Sequence, residues 1–263
     1  MPQISANGAS LHYRFDGPEA GDVVMLSNSL ASNLTMWDPQ IGPLTEAGFR
    51  VLRYDSRGHG QSDAPTGPYS IEQLSEDAVA LMDALGLGAV HFCGLSKGGM
   101  VAQMLGTRHG GRVRTLAICD SAAYAGPKDT WQGRIDTAEK DGMDAIVDGT
   151  IERWFTPAGH ARLPEEIAKV RQMILSTPVV GFVACCQAIR DMDQRETIPA
   201  VATPTLVIVG AEDPGTPPAK AKEIQSLIPG AEYVELPEAA HLSNIEAADG
   251  FNRAVLDFLA RNG

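Results

Sequence analysis

The sequence predicts an α/β fold: a mainly parallel, eight-stranded sheet flanked by helices, with one helical insertion. Three observations lead there. Apolar runs of strand length alternate with amphipathic helical segments from Val23 to Asp120, and again from Thr205 to Ala260. That alternation is the pattern of parallel strands joined by right-handed crossovers. Between about Ser121 and Pro199 no alternating strand occurs, and amphipathic helical runs take its place. Finally, 263 residues of which 44% are hydrophobic suffice for a full core. The expected division is a core of residues 1–120 and 200–263 and a helical cap of residues 121–199.

The chain opens on a hairpin. Leu11, Tyr13 and Phe15 alternate with His12 and Arg14, and Asn7-Gly8 is a strong turn pair between two short strands. Val23 to Leu26 is a continuous buried-type strand, followed by the polar Ser27-Asn28-Ser29-Leu30 and a helix near Trp37 to Ala47. The strand Phe49 to Tyr54 runs into a loop from Asp55 to Asp63. Its glycines and polar residues suit a turn network in which side chains bond the backbone. Ser70 caps a helix to about Leu85, whose stripe is Leu74, Ala78, Leu81, Met82 and Leu85. A short strand from Val90, a sharp turn at Ser96, a helix to about Thr107 and the strand Val113 to Cys119 follow. The insertion carries helical runs at Thr130–Glu139, Ala145–Trp154, Glu165–Leu175 and Pro178–Arg190. Thr205 to Val209 restores a buried strand, then come a helix to about Ile228, the strand Ala231 to Leu236, and a closing helix from about Ala247 to Ala260.

The chemistry centres on Gly94-Leu95-Ser96-Lys97-Gly98 between strand and helix. A serine at such a turn sits in a strained backbone, and side chains at Gly94 or Gly98 would collide with the neighbouring elements. Ser96 is the expected nucleophile; the bland alternative is a helix-capping serine. A hydroxyl needs an imidazole to take its proton, and the imidazole needs a carboxylate to fix its tautomer. Asp213 and His241 each follow the C-terminal end of a strand, as Ser96 does, which is where open α/β sheets gather their ligands. Asp120 ends a strand on the same edge and rivals Asp213, which is favoured by its Gly-Ala-Glu-Asp-Pro turn. The backbone N–H groups of Leu30 and Lys97 are the expected oxyanion donors.

The totals exclude other classes. With 33 acidic against 21 basic residues, the net charge of −12 argues against nucleic acid or an anionic membrane as the partner. The stretch from Met1 to Gly8 lacks a basic segment followed by an apolar run, and no apolar stretch reaches membrane-span length. A cytoplasmic protein is expected. Cys93, Cys119, Cys185 and Cys186 fit no zinc spacing or disulfide framework and read as buried thiols. Oligomeric state is left open, a homo-oligomer included.

Ser27-Asn28-Ser29-Leu30, Tyr54 to Gly60, Gly94 to Gly99, Ala188 to Asp193 and Ala240-His241-Leu242-Ser243-Asn244 together resemble the α/β-hydrolase superfamily. More narrowly, they resemble the 3-oxoadipate enol-lactonases. The resemblance covers essentially the whole chain. It implies hydrolysis of 3-oxoadipate enol-lactone, a small anionic lactone of aromatic-compound degradation, with no metal or organic cofactor. A general carboxylesterase or cofactor-free perhydrolase shares the same residues, and a noncatalytic small-ligand receptor on this fold is the alternative of another class. The lactone's carboxylate calls for a cation. Trp131 and Arg134 lie on one face of the first cap helix and are the candidates for a wall and a charge, with Arg190 and Arg57 as others. Lys97 stands where similar hydrolases more often carry an apolar residue such as Met. Its side chain could reach the pocket, pair with Asp120, or fold outward into solvent.

Overall fold

In the computed structural model, which describes residues 2–263, the strands form a single eight-stranded sheet; Met1 lies outside the described residues. β1 (Gln3–Ala6) and β2 (Ala9–Asp16) make the expected hairpin, with Asn7 and Gly8 at φ 47° and 74°. Those angles are what a two-residue turn between right-twisted strands demands, and Asn-Gly supplies them at least cost. β3 (Val23–Ser27), β4 (Arg50–Tyr54), β5 (Val90–Leu95), β6 (Val113–Cys119), β7 (Thr205–Gly210) and β8 (Glu232–Leu236) run parallel. β2 joins them antiparallel, against β4.

The order across the sheet is β1-β2-β4-β3-β5-β6-β7-β8. The chain leaves β3 to one side to form β4, then crosses back to form β5 on the other side. This reversal opens a crevice beyond the C-terminal ends of β3 and β5, where Ser27 is in register with Gly94. Residues of the inner strands such as Leu26, Leu52, Ile118 and Ile208 are fully buried. Each contributes about 1.5 to 3 kcal/mol by leaving water.

The core helices follow the apolar stripes read from the sequence. α1 (Asp38–Glu46) is preceded by a tight turn at Leu34–Trp37. α2 (Ile71–Ala84) starts where the Ser70 hydroxyl accepts from the Gln73 amide, and it buries Leu74, Ala78, Leu81 and Met82. α3 (Lys97–Arg108) starts at the serine turn. Between β6 and β7 lie α4 (Lys128–Asp141), α5 (Asp144–Trp154), α6 (Pro157–Arg162), α7 (Pro164–Ser176) and α8 (Val179–Asp191), with α4 packed on α8. α9 (Pro218–Leu227), α10 (Ser243–Glu246) and α11 (Ala248–Asn262) complete the chain. α6 and α10 are additions to the sequence reading: each is too short to show a helical period. α6 is set instead by its cap, the Thr156 hydroxyl accepting from Gly159, and by Pro157 at its first position. All four cysteines are buried and free, and among the described residues no single helix is long and apolar enough to cross a membrane.

Candidate active site

Ser96 sits between β5 and α3 at φ 57°, a left-handed conformation that a serine adopts only under constraint. The constraint is visible. The Ser96 amide donates to the Cys119 carbonyl at 2.8 Å, and the Ser121 hydroxyl donates to the Ser96 carbonyl at 2.8 Å. A Cβ at Gly94 would fall on the Gly98 carbonyl, and one at Gly98 on the Ser27 carbonyl, so both glycines are needed for the close approach. The turn thereby raises the Ser96 side chain at the positive end of α3.

His241 follows β8, and its Nδ1 lies 2.7 Å from Asp213 Oδ2. Asp213 Oδ1 accepts from the amides of Gly215 and Thr216 at 2.7 and 3.0 Å, and Oδ2 also accepts from the Thr216 hydroxyl at 2.7 Å. Burial alone would raise the Asp213 pKa. The charge and hydrogen bond of His241, with the Thr216 donors, outweigh it and hold the carboxyl below its usual range. For His241, burial opposes protonation, but the Asp213 charge and hydrogen bond lift the imidazole above 6.5. Asp213 therefore stays ionised and holds the Nδ1–H tautomer, leaving Nε2 free to take a proton.

Asp120 stands on the adjacent strand end but does not reach the imidazole. It accepts from the Gly210 amide at 2.8 Å, and its other oxygen is 2.5 Å from the Ser243 hydroxyl. Burial, followed by the charge of Asp213, pushes its pKa up to about 8. Of the two acids, Asp213 is thus the one whose surroundings favour the charged carboxylate.

Ser96 and His241 line one cavity of about 390 Å3 with Leu30, Trp131, Arg134 and Trp154. No protein acceptor among the described residues takes the amide hydrogens of Leu30 or Lys97, although both residues are buried. Buried amides left open near the Ser96 hydroxyl are the kind of donor that can meet a developing oxyanion. The Leu30 loop is itself held: the next amide, of Ala31, donates to His59 Nε2 at 2.9 Å. Burial, with Lys97 nearby, keeps His59 well below its ordinary pKa, and hence able to accept that bond.

Trp131 donates its Nε1–H to the Ala125 carbonyl at 2.7 Å, which fixes its ring as a wall of the cavity. The Arg134 guanidinium lies 5.3 Å from the Trp131 ring centre and 5.7 Å from that of Phe182. Among the described residues its buried Nε has no partner, and its guanidinium makes one hydrogen bond, to the Thr150 hydroxyl, long at 3.5 Å. A guanidinium without a carboxylate in so acidic a protein is an open anion contact. Arg153 and Trp154 also line the cavity, and the Trp154 ring lies 5.9 Å from the His241 ring, tilted by 30°. The sequence reading assigned neither to the site; both depend on how the C-terminal end of α5 folds back over the sheet.

Two arginine candidates fall away. Arg57 is buried in a two-pronged pair with Asp77, at 2.6 and 2.8 Å. Arg190 is engaged by Asp191 and by the Gln132 side chain, outside the cavity. Lys97 takes none of the three courses open to it in the sequence. It is fully buried, with Nζ donating to the Ser56 hydroxyl at 2.6 Å, away from pocket, solvent and Asp120. Burial depresses its pKa below 10.5, against the fields of Cys185, Asp77 and Asp55. Lys97→Met, of similar length and uncharged, should therefore stabilise the fold by about 1 to 4 kcal/mol at neutral pH, as replacing buried charge often does. The folded pKa is the lower one, so wild-type stability rises with pH toward 10.5 and the variant's advantage shrinks. Tm measured from pH 7 to 10 checks this, and a variant less stable at pH 7 would contradict it.

Ser96, Asp213 and His241 all follow the C-terminal ends of strands of this sheet, an arrangement the α/β-hydrolase fold provides. A family model described as the alpha/beta hydrolase fold matches residues 22–248, and the chain belongs to that family. Its relatives narrow the class. A 3-oxoadipate enol-lactonase of Acinetobacter baylyi is 35% identical over 252 residues, spanning 96% of this chain and 94% of its own length. A putative carbamate hydrolase of Variovorax paradoxus is 30% identical over 256 residues, spanning 95% of this chain and 96% of its own. The solved enol-lactonase from Burkholderia xenovorans LB400 is 44% identical, with a TM-score of 0.96 over 98% of this chain and 100% of that one. Family and relatives together make the chain a hydrolase.

Proposed function

We propose that the protein opens 3-oxoadipate enol-lactone to 3-oxoadipate, in the degradation of aromatic compounds. The observation that carries this reading is an uncompensated Arg134 in the same cavity as Ser96 and His241. Such a cavity favours a substrate joining an acyl carbon to a free carboxylate, and of the relatives just described one is named a 3-oxoadipate enol-lactonase and another an enol-lactonase.

In this mechanism Ser96 Oγ attacks the lactone carbonyl while His241 Nε2 takes its proton. Negative charge on the carbonyl oxygen is met by the Leu30 and Lys97 amides, each worth about 3 to 4 kcal/mol in such sites. The ring C–O bond breaks, and the enolate leaves more readily than an alkoxide. His241 returns the proton, and the enol relaxes to the ketone while its acyl end remains on Ser96. A water deprotonated by His241 then releases 3-oxoadipate and restores the hydroxyl.

Arg134 holds the substrate carboxylate throughout. Arg134→Met should raise KM for the lactone by about 10- to 100-fold, the value of a charge-assisted hydrogen bond pair. Hydrolysis of neutral aryl acetates should change little. Steady-state kinetics on both substrates test this: equal losses on the two would remove the carboxylate from the argument.

A further inference from the structure

We infer that Glu246 is a positioning residue that locks the helical insertion to the loop carrying His241, so that the imidazole and the insertion's wall of the cavity move as one body. The inference rests on the reading of His241 as the general base.

Glu246 ends α10, five residues past His241, and is only 5% exposed. Its two carboxylate oxygens face opposite ways. Oε1 accepts from the Thr156 amide at 2.9 Å and from the Thr156 hydroxyl at 2.6 Å, at the junction of α5 and α6. Oε2 accepts from the Ala240 amide at 2.8 Å, one residue before His241. Two further bonds run beside it: Leu242 N–H donates to the Trp154 carbonyl at 3.2 Å, and the Arg162 guanidinium donates to the Glu246 carbonyl at 2.9 Å. A Cβ at Gly159 would fall on Glu246 Oε1, so the first turn of α6 is shaped around this carboxylate.

The chemistry explains why a carboxylate stands here. Three donors converge from two chain segments, and the Glu246 carboxyl accepts them through both of its oxygens. Burying it costs solvation that an apolar residue would not. What the carboxylate adds is a fixed distance between Thr156 and Ala240. Through Trp154, two residues before Thr156, that distance also sets the ring that faces His241.

Glu246→Gln discriminates, because glutamine has one accepting oxygen and an NH2 that would confront a donor at its other end. The comparison is wild type, Glu246→Gln, Thr156→Val, Thr156→Ser and the Glu246→Gln/Thr156→Val double variant, on a neutral aryl acetate and on the lactone, with the His241 Nδ1–H proton followed by NMR. Glu246→Gln should stay folded, lose about 10- to 100-fold in kcat with KM little changed, as misplacement of a reacting group does. Its His241 resonance should move or broaden. Thr156→Val should show the same signature, Thr156→Ser, which keeps the hydroxyl, should behave as wild type, and the double variant should cost less than the sum of the singles. A Glu246→Gln variant with a lower Tm but unchanged kcat and an unmoved His241 resonance would overturn the clamp. The NMR readout is independent of turnover. If the resonance moves while His241→Ala remains active, the clamp stands and the assignment of His241 as base falls.

Discussion

Ser96→Ala is expected to reduce kcat by about 10⁶-fold on lactones and esters alike, since removing the nucleophile of a Ser-His-Asp set costs about as much as removing the whole set. The variant should remain folded. The strain at φ 57° is held by the Cys119 carbonyl and the Ser121 hydroxyl, not by the serine side chain. Alanine can take the same backbone position with the same bonds, so loss of rate without loss of Tm is the expected pair of results. Substrate affinity should survive, because Arg134, Trp131 and the two amides are untouched. Turnover in Ser96→Ala within tenfold of wild type would move the nucleophile elsewhere.

Asp213→Asn is expected to cost about 10⁴-fold in kcat. The asparagine NH2 would point at His241 Nδ1 and force the proton to Nε2, the nitrogen that must stay free to accept from Ser96. Asp120 is the group that could mask this loss, being buried on the neighbouring strand end. It is not expected to, because its oxygens are committed to the Gly210 amide and the Ser243 hydroxyl, and burial beside Asp213 pushes its pKa up to about 8. Asp120→Asn keeps an accepting oxygen for Gly210 and should cost far less. Kinetics of the two variants side by side decide between the acids; the reverse ranking would exchange their roles.

What could be read from the chain was what local sequence controls. The inner strands are unbroken apolar runs, and the Asn7-Gly8 turn and the glycines flanking Ser96 are dictated by backbone geometry over a few residues. Asp213 and Asp120 could be ranked but not separated, because both end adjacent strands and only the bond to His241 Nδ1 distinguishes them. The insertion's helices were legible as stripes, while the placement of Arg153 and Trp154 in the cavity depends on how those helices fold back. Arg57 looked available in the sequence because its partner Asp77 reaches it only once α2 packs on the sheet. Lys97 was the hardest case. A charged residue beside the nucleophile suggests pocket or solvent, and nothing local announces that Ser56 will receive it inside the core. Glu246 was illegible for a related reason: its donors come from Thr156 and Ala240, far apart in the chain.

The most direct measurement is kcat/KM for 3-oxoadipate enol-lactone, generated in situ and followed by its ultraviolet absorbance, set against a neutral aryl acetate and a simple carbamate. The expected value for the lactone is about 10⁴ to 10⁸ M⁻¹s⁻¹, well above both alternatives and abolished in Ser96→Ala. A wild-type enzyme that ignores the lactone while turning over the aryl ester or the carbamate would leave the Ser-His-Asp chemistry intact and contradict the substrate.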